Sequence, residues 1–245
     1  MRLIRVFAET ALAPGATATL ADGAAEHVRR VLRLRAGDPV TLFNGDGHDY
    51  PGRVLALRGS RVEVEVLGRD PARPESPLAL TLAQGIARGE RMDLVMQKAT
   101  ELGVARIVPV QTSRSVVRIE RDAAARKLGH WRGIVVAACE QCGRARLPAV
   151  DSPTMLAAWL ARPAEAGLRR LQLDPAGREA LAAAAAGATA IELLVGPEGG
   201  LDDAERDDAA AAGYLPCTLG PRVLRSETAA LAAIAVLQAA AGDLR

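Results

Sequence analysis

Two segments in the last third of the chain put chemistry-bearing residues where the backbone must turn. The first is Val195-Gly196-Pro197-Glu198-Gly199-Gly200-Leu201-Asp202. The apolar run over residues 191–195 reads as a buried strand, and Asp202 reads as the N-cap of a following helix. The glycines let a ligand approach the backbone where side chains would block it, and leave N–H groups free for polar ligand edges. A tight strand-to-helix turn would use the same residues. The segment is not G-x-G-x-x-G, and it lacks the Lys-Ser/Thr ending of a P-loop. Glu198 would also repel a pyrophosphate, so a dinucleotide-using oxidoreductase is disfavoured. The second segment is Leu219-Gly220-Pro221-Arg222-Val223-Leu224-Arg225-Ser226-Glu227-Thr228-Ala229. Ser226 reads as the N-cap of the last helix, with Glu227 favourably near its N-terminus. Gly-Pro at a strand end, followed by Arg-x-x-Arg, makes a second ligand-type loop. Two such loops in one sheet point to a built pocket. Cys139-Glu140-Gln141-Cys142 is a lone C-x-x-C with His130 upstream and no second pair, so neither a zinc site nor redox chemistry is expected.

These loops need strands and helices to hold them. Three prolines between Pro71 and Pro77 exclude a helix interior or central strand there. The segment divides the chain into a domain over residues 1–70, a linker over 71–77 and a domain over 78–245. In the first, β-patterned runs cover residues 2–7, 39–43, 50–57 and 61–67, with Asn44-Gly45-Asp46-Gly47 as a turn. One short helix is expected over residues 24–34. This predicts a small β-barrel. In the second, strands at residues 78–83, 106–110, 169–173, 191–195 and 217–219 alternate with helices at 90–102, 122–142, 154–161, 178–186, 202–212 and 226–241. The helix over 122–142 has possible breaks at Gly129 or Gly133. Such alternation predicts an α/β fold with a mostly parallel sheet, whose ligands bind beyond the carboxyl ends of the strands.

Composition narrows the function. The 245 residues carry 31 basic and 29 acidic groups, a net charge of +2. That near-neutral total is misleading. Residues 76–150 hold 12 basic and 6 acidic groups, a net +6, whereas residues 151–245 hold 8 and 13, a net −5. No stretch approaches the roughly 18 apolar residues of a membrane span, and the start has no continuous apolar region. Three cysteines are too few for a disulfide scaffold. A cytoplasmic protein without a membrane partner is expected.

The two loops recur with other segments in a fixed order. These are Arg5 and Phe7 near the start; His27-Val28-Arg29-Arg30-Val31-Leu32-Arg33 with Gly37-Asp38; Glu90-Arg91-Met92-Asp93; Gln97-Lys98-Ala99-Thr100-Glu101-Leu102-Gly103-Val104; and Glu140-Gln141 with Arg144 and Pro148. On these, over most of its length, the chain resembles the bacterial uridine-N3 methyltransferases of the SPOUT class, which modify small-subunit ribosomal RNA. The resemblance implies a SPOUT-type parallel sheet threaded as a C-terminal trefoil knot, a PUA-like N-terminal β-barrel, a homodimer, and S-adenosylmethionine as methyl donor. It also implies 16S rRNA, free or within the small ribosomal subunit, as substrate, and no metal.

The cofactor would sit among three loops: the end of the strand over residues 169–173, the loop 196–201 and the loop 219–224. Leu171, Leu173, Leu219, Val223 and Leu224 suit its apolar walls, and Gly196 and Gly220 allow close approach. Val195, Pro197, Glu198, Gly200 and Thr228 complete the expected set. Arg225 and Arg222, beside the cofactor loop, would stabilise the uridine anion. Glu227 would act as base or orient an arginine. The expected RNA contacts are Arg5, His27, Arg30, Arg33, Arg88, Arg114, Arg118 and Arg144, with Phe7, Phe43 and Tyr50 as stacking surfaces. The competing reading is a non-catalytic RNA-binding or ribosome-assembly protein of the same fold.

Overall fold

The structure, a computed structural model, describes residues 4–116, 121–163 and 165–244. The chain forms two compact units. One comprises residues 1–75 with 136–147, the other residues 76–135 with 148–245.

The first unit is built on a five-stranded sheet of β1 (Arg5–Phe7), β2 (Thr17–Leu20), β3 (Pro39–Phe43), β4 (Tyr50–Arg58) and β5 (Arg61–Val66), in the order β1-β3-β4-β5-β2. β1 runs parallel to β3 and the other pairs are antiparallel. In β5 the alternation works as expected: Val62, Val64 and Val66 are buried in the unit's core, while Arg61 is exposed. β2 was not legible because Thr-Ala-Thr-Leu is too short for a periodic signal, although Ala18 and Leu20 do point inward. The helix expected over residues 24–34 is instead α1 (Asp22–Glu26) followed by a π-helical turn, His27–Val31. Asn44 Oδ1 accepts from the Asp46 N–H at 3.2 Å, closing the expected turn between β3 and β4. Residues 67–76 form neither helix nor strand. This stretch is tied to the unit by Arg73 Nε on Asp49 Oδ2 at 2.9 Å and by the Asp70 N–H on the Asp49 carbonyl at 2.8 Å.

The second unit is an α/β sheet whose pairs are all parallel, in the order β11-β13-β10-β12-β6-β7-β8, with β9 also on β7. Its strands are β6 (Ala79–Gly85), β7 (Arg106–Gln111), β8 (Ala149–Val150), β9 (Thr154–Met155), β10 (Leu168–Leu173), β11 (Glu179–Ala180), β12 (Ala190–Val195) and β13 (Leu215–Thr218). The central strands β6 and β12 are nearly wholly buried, as in a sheet covered on both faces. The helices are α2 (Glu90–Glu101), α3 (Arg121–Cys142), α4 (Leu156–Leu160), α5 (Leu181–Ala184), α6 (Asp203–Ala211) and α7 (Ser226–Ala241). α3 runs unbroken through Gly129 and Gly133, and its residues from Val136 group with the first unit. α2 ends where Gly103 takes φ +82°, a left-handed C-cap.

Two helical expectations fail for one reason. The Ala-rich stretch 178–186 gives only β11 and the four-residue α5, and the stretch 154–161 gives β9 and then α4. Near the start of each, two residues, Glu179-Ala180 and Thr154-Met155, pair instead with a neighbouring strand, β13 or β7. Unpaired backbone groups along those strands outweigh local helix propensity. A buried polar cluster on the β12 face locks this side. Glu192, 2 % exposed, takes Arg162 Nη2 at 2.6 Å and the Tyr214 hydroxyl, and Trp159 Nε1 donates to that hydroxyl at 3.0 Å.

Candidate active site

β13, β10 and β12 are adjacent and parallel, so their carboxyl ends reach the same edge of the sheet. Leu173 stands level with Cys217, and Gln172 with Leu194. The three chain segments that leave this edge enclose a cavity of about 470 Å³, inside the usual range for small-molecule sites. Of the expected cofactor residues, Leu173, Val195, Gly196, Pro197, Glu198, Gly200, Leu219, Gly220, Val223 and Leu224 line it, as do Arg222 and Arg225.

The glycine-rich loop folds back on itself. The Gly200 N–H donates to the Pro197 carbonyl at 2.9 Å, and Gly200 takes φ +67°. A Cβ on Gly196 would lie 3.1 Å from Gly200 Cα and Leu201 N, so a side chain there would push the folded-back backbone outward by a few tenths of an ångström. Asp202 then caps α6. Its side chain accepts from the Glu205 N–H at 2.8 Å, and Glu205 reaches back to the Asp202 N–H at 3.1 Å. The second loop enters α7 differently from expectation. Arg225 is the N-cap, Ser226 is the first helical residue, and the serine hydroxyl donates to the Gly196 carbonyl at 2.6 Å instead of capping.

Charge is distributed unevenly around the cavity. Arg222 and Arg225 are exposed at its lining and have no ion pair or side-chain hydrogen bond among the described residues. Arg91 also lines the cavity, and its Nη1 donates to Glu198 Oε1 at 3.1 Å. Its Nε lies 3.8 Å from Glu227 Oε1. Burial opposes the charge on Glu198, but the Arg88 N–H and the Arg91 guanidinium outweigh it and hold the carboxyl below its usual range. On the opposite side of the loop, Arg114 Nη1 donates to the Gly199 carbonyl at 3.1 Å, and Arg206 Nη1 to the Leu201 carbonyl at 3.0 Å. Cys217 lines the cavity, but burial and then Glu179 push its thiol up to about 11, so it stands there as a neutral, weakly polar wall.

Three expected site residues lie elsewhere. Leu171 is 0 % exposed in mid-strand, inside the sheet, because only the last two residues of β10, Gln172 and Leu173, reach the cavity. Thr228 is exposed on α7 and does not line the cavity. Glu227 is buried outside the lining and touches it through Arg91. The cavity also takes Gln172, Asp174, Pro175, Thr218 and Arg206, which sequence reasoning passed over. Asp174-Pro175 directly after a strand was a usable signal, whereas Arg206 within an acidic helix offered none.

The expected RNA contacts divide by exposure. Arg30, Arg33 and Arg88 are exposed; Arg30 pairs with Glu26 at 2.7 Å on the helix surface. His27 is half-buried. Arg114 is committed to the glycine-rich loop as above, and Arg118 lies outside the described residues. Arg5 is a correction: it is 5 % exposed, pairs with Asp49 at 2.6 Å, donates to the Cys139 and Arg144 carbonyls and stacks over Phe43. Its guanidinium is consumed by the core. Arg144 pairs with Glu75 at 2.5 Å and its side chain is only 13 % exposed. Phe43 and Tyr50 are core residues as well, so neither offers a stacking face; Phe7 is half-buried. Cys139 and Cys142 are both free, and burial pushes the Cys139 thiol up to about 12.

Comparison with known proteins agrees with this arrangement. Residues 74–238 match the family described as RNA methyltransferase domain, and residues 20–67 match the RNA methyltransferase PUA domain. The ribosomal RNA small subunit methyltransferase E of Buchnera aphidicola is 30% identical over 243 residues, covering 99% of this chain and 98% of its own. The structure of the same-named protein of Neisseria gonorrhoeae, bound to S-adenosyl methionine, superposes with a TM-score of 0.91 at 38% identity over 100% of both chains. A Legionella pneumophila structure in complex with the bound cofactor SAM gives 0.94 at 40% identity, again over 100% of both chains.

Proposed function

Because the chain belongs to the RNA methyltransferase family, we propose that it transfers a methyl group from S-adenosylmethionine to N3 of a uridine in small-subunit (16S) ribosomal RNA. The observation that carries this reading is the cavity formed at the carboxyl ends of β10, β12 and β13, with two arginines at its lining that have no ion pair among the described residues. The residues fit the donor. Leu173, Leu219, Val223 and Leu224 offer apolar walls to an adenine ring, and Gly196, Gly199, Gly200 and Gly220 line the cavity without side chains. Gln172 and Asp174 add polar groups for its ribose and amino-acid portions.

When bound, S-adenosylmethionine supplies a methyl group on a sulfonium, open to in-line attack. The chain's part is to present the uridine as a nucleophile. N3 carries a proton that must pass to a base, Glu227 or solvent water, before the nitrogen can attack; the N–C bond then forms as the methyl's bond to sulfur breaks and the neutral thioether leaves. Arg225 and Arg222 are assigned to stabilise the anion that forms, as fixed charges that need no reorganisation. Glu227 has two roles open, base or orienter. Its position outside the cavity lining, against Arg91, supports orientation through that arginine.

In this reading residues 1–70 are a PUA-like RNA-binding barrel, 71–77 a linker and 78–245 the SPOUT domain with its trefoil knot. The protein acts as a cytoplasmic homodimer, and its RNA contacts use His27, Arg30, Arg33 and Arg88 from the exposed or half-buried set. Among the described residues no helix is long and apolar enough to cross a membrane. Mass spectrometry of 16S rRNA from a deletion strain, before and after addition of purified protein and S-adenosylmethionine, tests the assignment. One uridine is expected to gain a methyl group that base-paired N3 could not carry. An unchanged methylation pattern would overturn it.

A further inference from the structure

No residue of β6 has a part in the chemistry above, yet the end of that strand meets both loops. Gln84 is 0 % exposed. Its Nε2 donates to Ser226 Oγ at 3.0 Å and to the Gly85 carbonyl at 3.0 Å, with the Gly196 carbonyl at 3.5 Å. Ser226 Oγ in turn donates to the Gly196 carbonyl at 2.6 Å. Proton accounting fixes the direction. A serine hydroxyl has one proton, here spent on Gly196, so towards Gln84 it can only accept. The amide nitrogen must therefore face the serine, which leaves Gln84 Oε1 buried without a partner among the described residues. An orphaned amide oxygen is costly, and a leucine would fill the space without that cost. Packing alone does not account for a glutamine here. Beside it, a Cβ on Gly85 would stand 2.4 Å from Pro197 N, so the glycine-rich loop rests directly on the strand end.

We propose that Gln84 and Ser226 are positioning residues whose relay holds the Gly196 carbonyl and so sets the gap between the two cofactor loops. The inference deepens the cofactor reading and rests on it. Ser226 begins α7 immediately after the second loop, and Gly196 begins the first. One chain of hydrogen bonds thus joins the strand, the glycine-rich loop and the helix. Cutting it leaves each loop to be ordered separately when ligand binds, which lowers affinity.

Calorimetric titration of the full chain with S-adenosylmethionine tests this, alongside amide hydrogen exchange of the ligand-free protein. Ser226→Ala removes one oxygen and is expected to weaken binding about two- to tenfold, the span of a single hydrogen bond. Gln84→Leu should weaken it similarly, and the double variant no further than the weaker single one, because the relay acts as a unit. In Ser226→Ala the amides of Gly199, Gly200 and Leu201 should exchange faster while those of α7 do not, which separates loop positioning from loss of helix stability. If the starting protein takes up no S-adenosylmethionine, the cofactor reading falls and the relay with it. If it binds, but Ser226→Ala binds equally well or its loop amides exchange as before, the relay alone is overturned.

Discussion

At the scale of single residues, exposure decides which arginines are free to act. Arg222 and Arg225 line the cavity without partners among the described residues, whereas Arg5 is buried against Asp49 and two carbonyls. Identical side chains thus meet opposite fates, one set exposed at the cavity and, in the proposed mechanism, facing the charge that develops, the other spent on structure. Arg225→Ala is expected to lower turnover by about a hundredfold or more, the usual cost of deleting a preorganised stabiliser of developing charge. S-adenosylmethionine affinity should change little, and a single-turnover assay with bound cofactor separates the two. Wild-type turnover with intact binding would remove Arg225 from the mechanism. That the arginines flank a glycine-rich turn was legible in the sequence. That Arg5 is internal was not, because its partners Cys139 and Arg144 lie more than a hundred residues away.

At the scale of elements, parallel pairing does most of the placing. β10, β12 and β13 are separated by long stretches of chain, but their shared direction brings Leu173, Val195 and Thr218 to one edge. The elements around them must then be held in register. The Glu192 cluster does this for β12, Arg162 and Tyr214. With its side chain 3% exposed, Glu192→Ala would leave Arg162 and Arg170 without their buried counter-charge. A loss of about 3–5 kcal/mol in urea unfolding is expected. A loss below about 1 kcal/mol would show that the cluster contributes specificity and little stability. Propensity alone misjudged the alanine-rich stretch because alanine favours helix only when no strand edge competes for its backbone. Where tertiary pairing and local preference agree, as in β3 and α7, the expected and observed bounds coincide.

At the scale of the whole molecule, the charge map separates two tasks. The excess of cations sits in residues 76–150, and the excess of anions in the third that holds the two cavity loops. Binding of 16S rRNA is expected to weaken as salt rises, with a log–log slope set by the phosphates neutralised. Arg30→Ala and Arg88→Ala should each shallow that slope by about one unit, since each removes an exposed cation. Filter binding across a salt series measures it, and unchanged slopes in both variants would exclude these two arginines from the RNA interface.

The sequence by itself determined the strand–helix alternation, the parallel α/β class, the two glycine- and arginine-bearing loops and the resemblance that names their ligand. These follow from local periodicity, turn chemistry and residue order, which are written along the chain. Only the tertiary structure decided that Leu171 is core and Leu173 is wall, that Ser226 serves Gly196 and leaves the helix uncapped, and that Glu227 reaches the cavity through Arg91. Burial and hydrogen-bond partnership depend on segments that meet across 30 to more than 130 residues, and no local pattern encodes them.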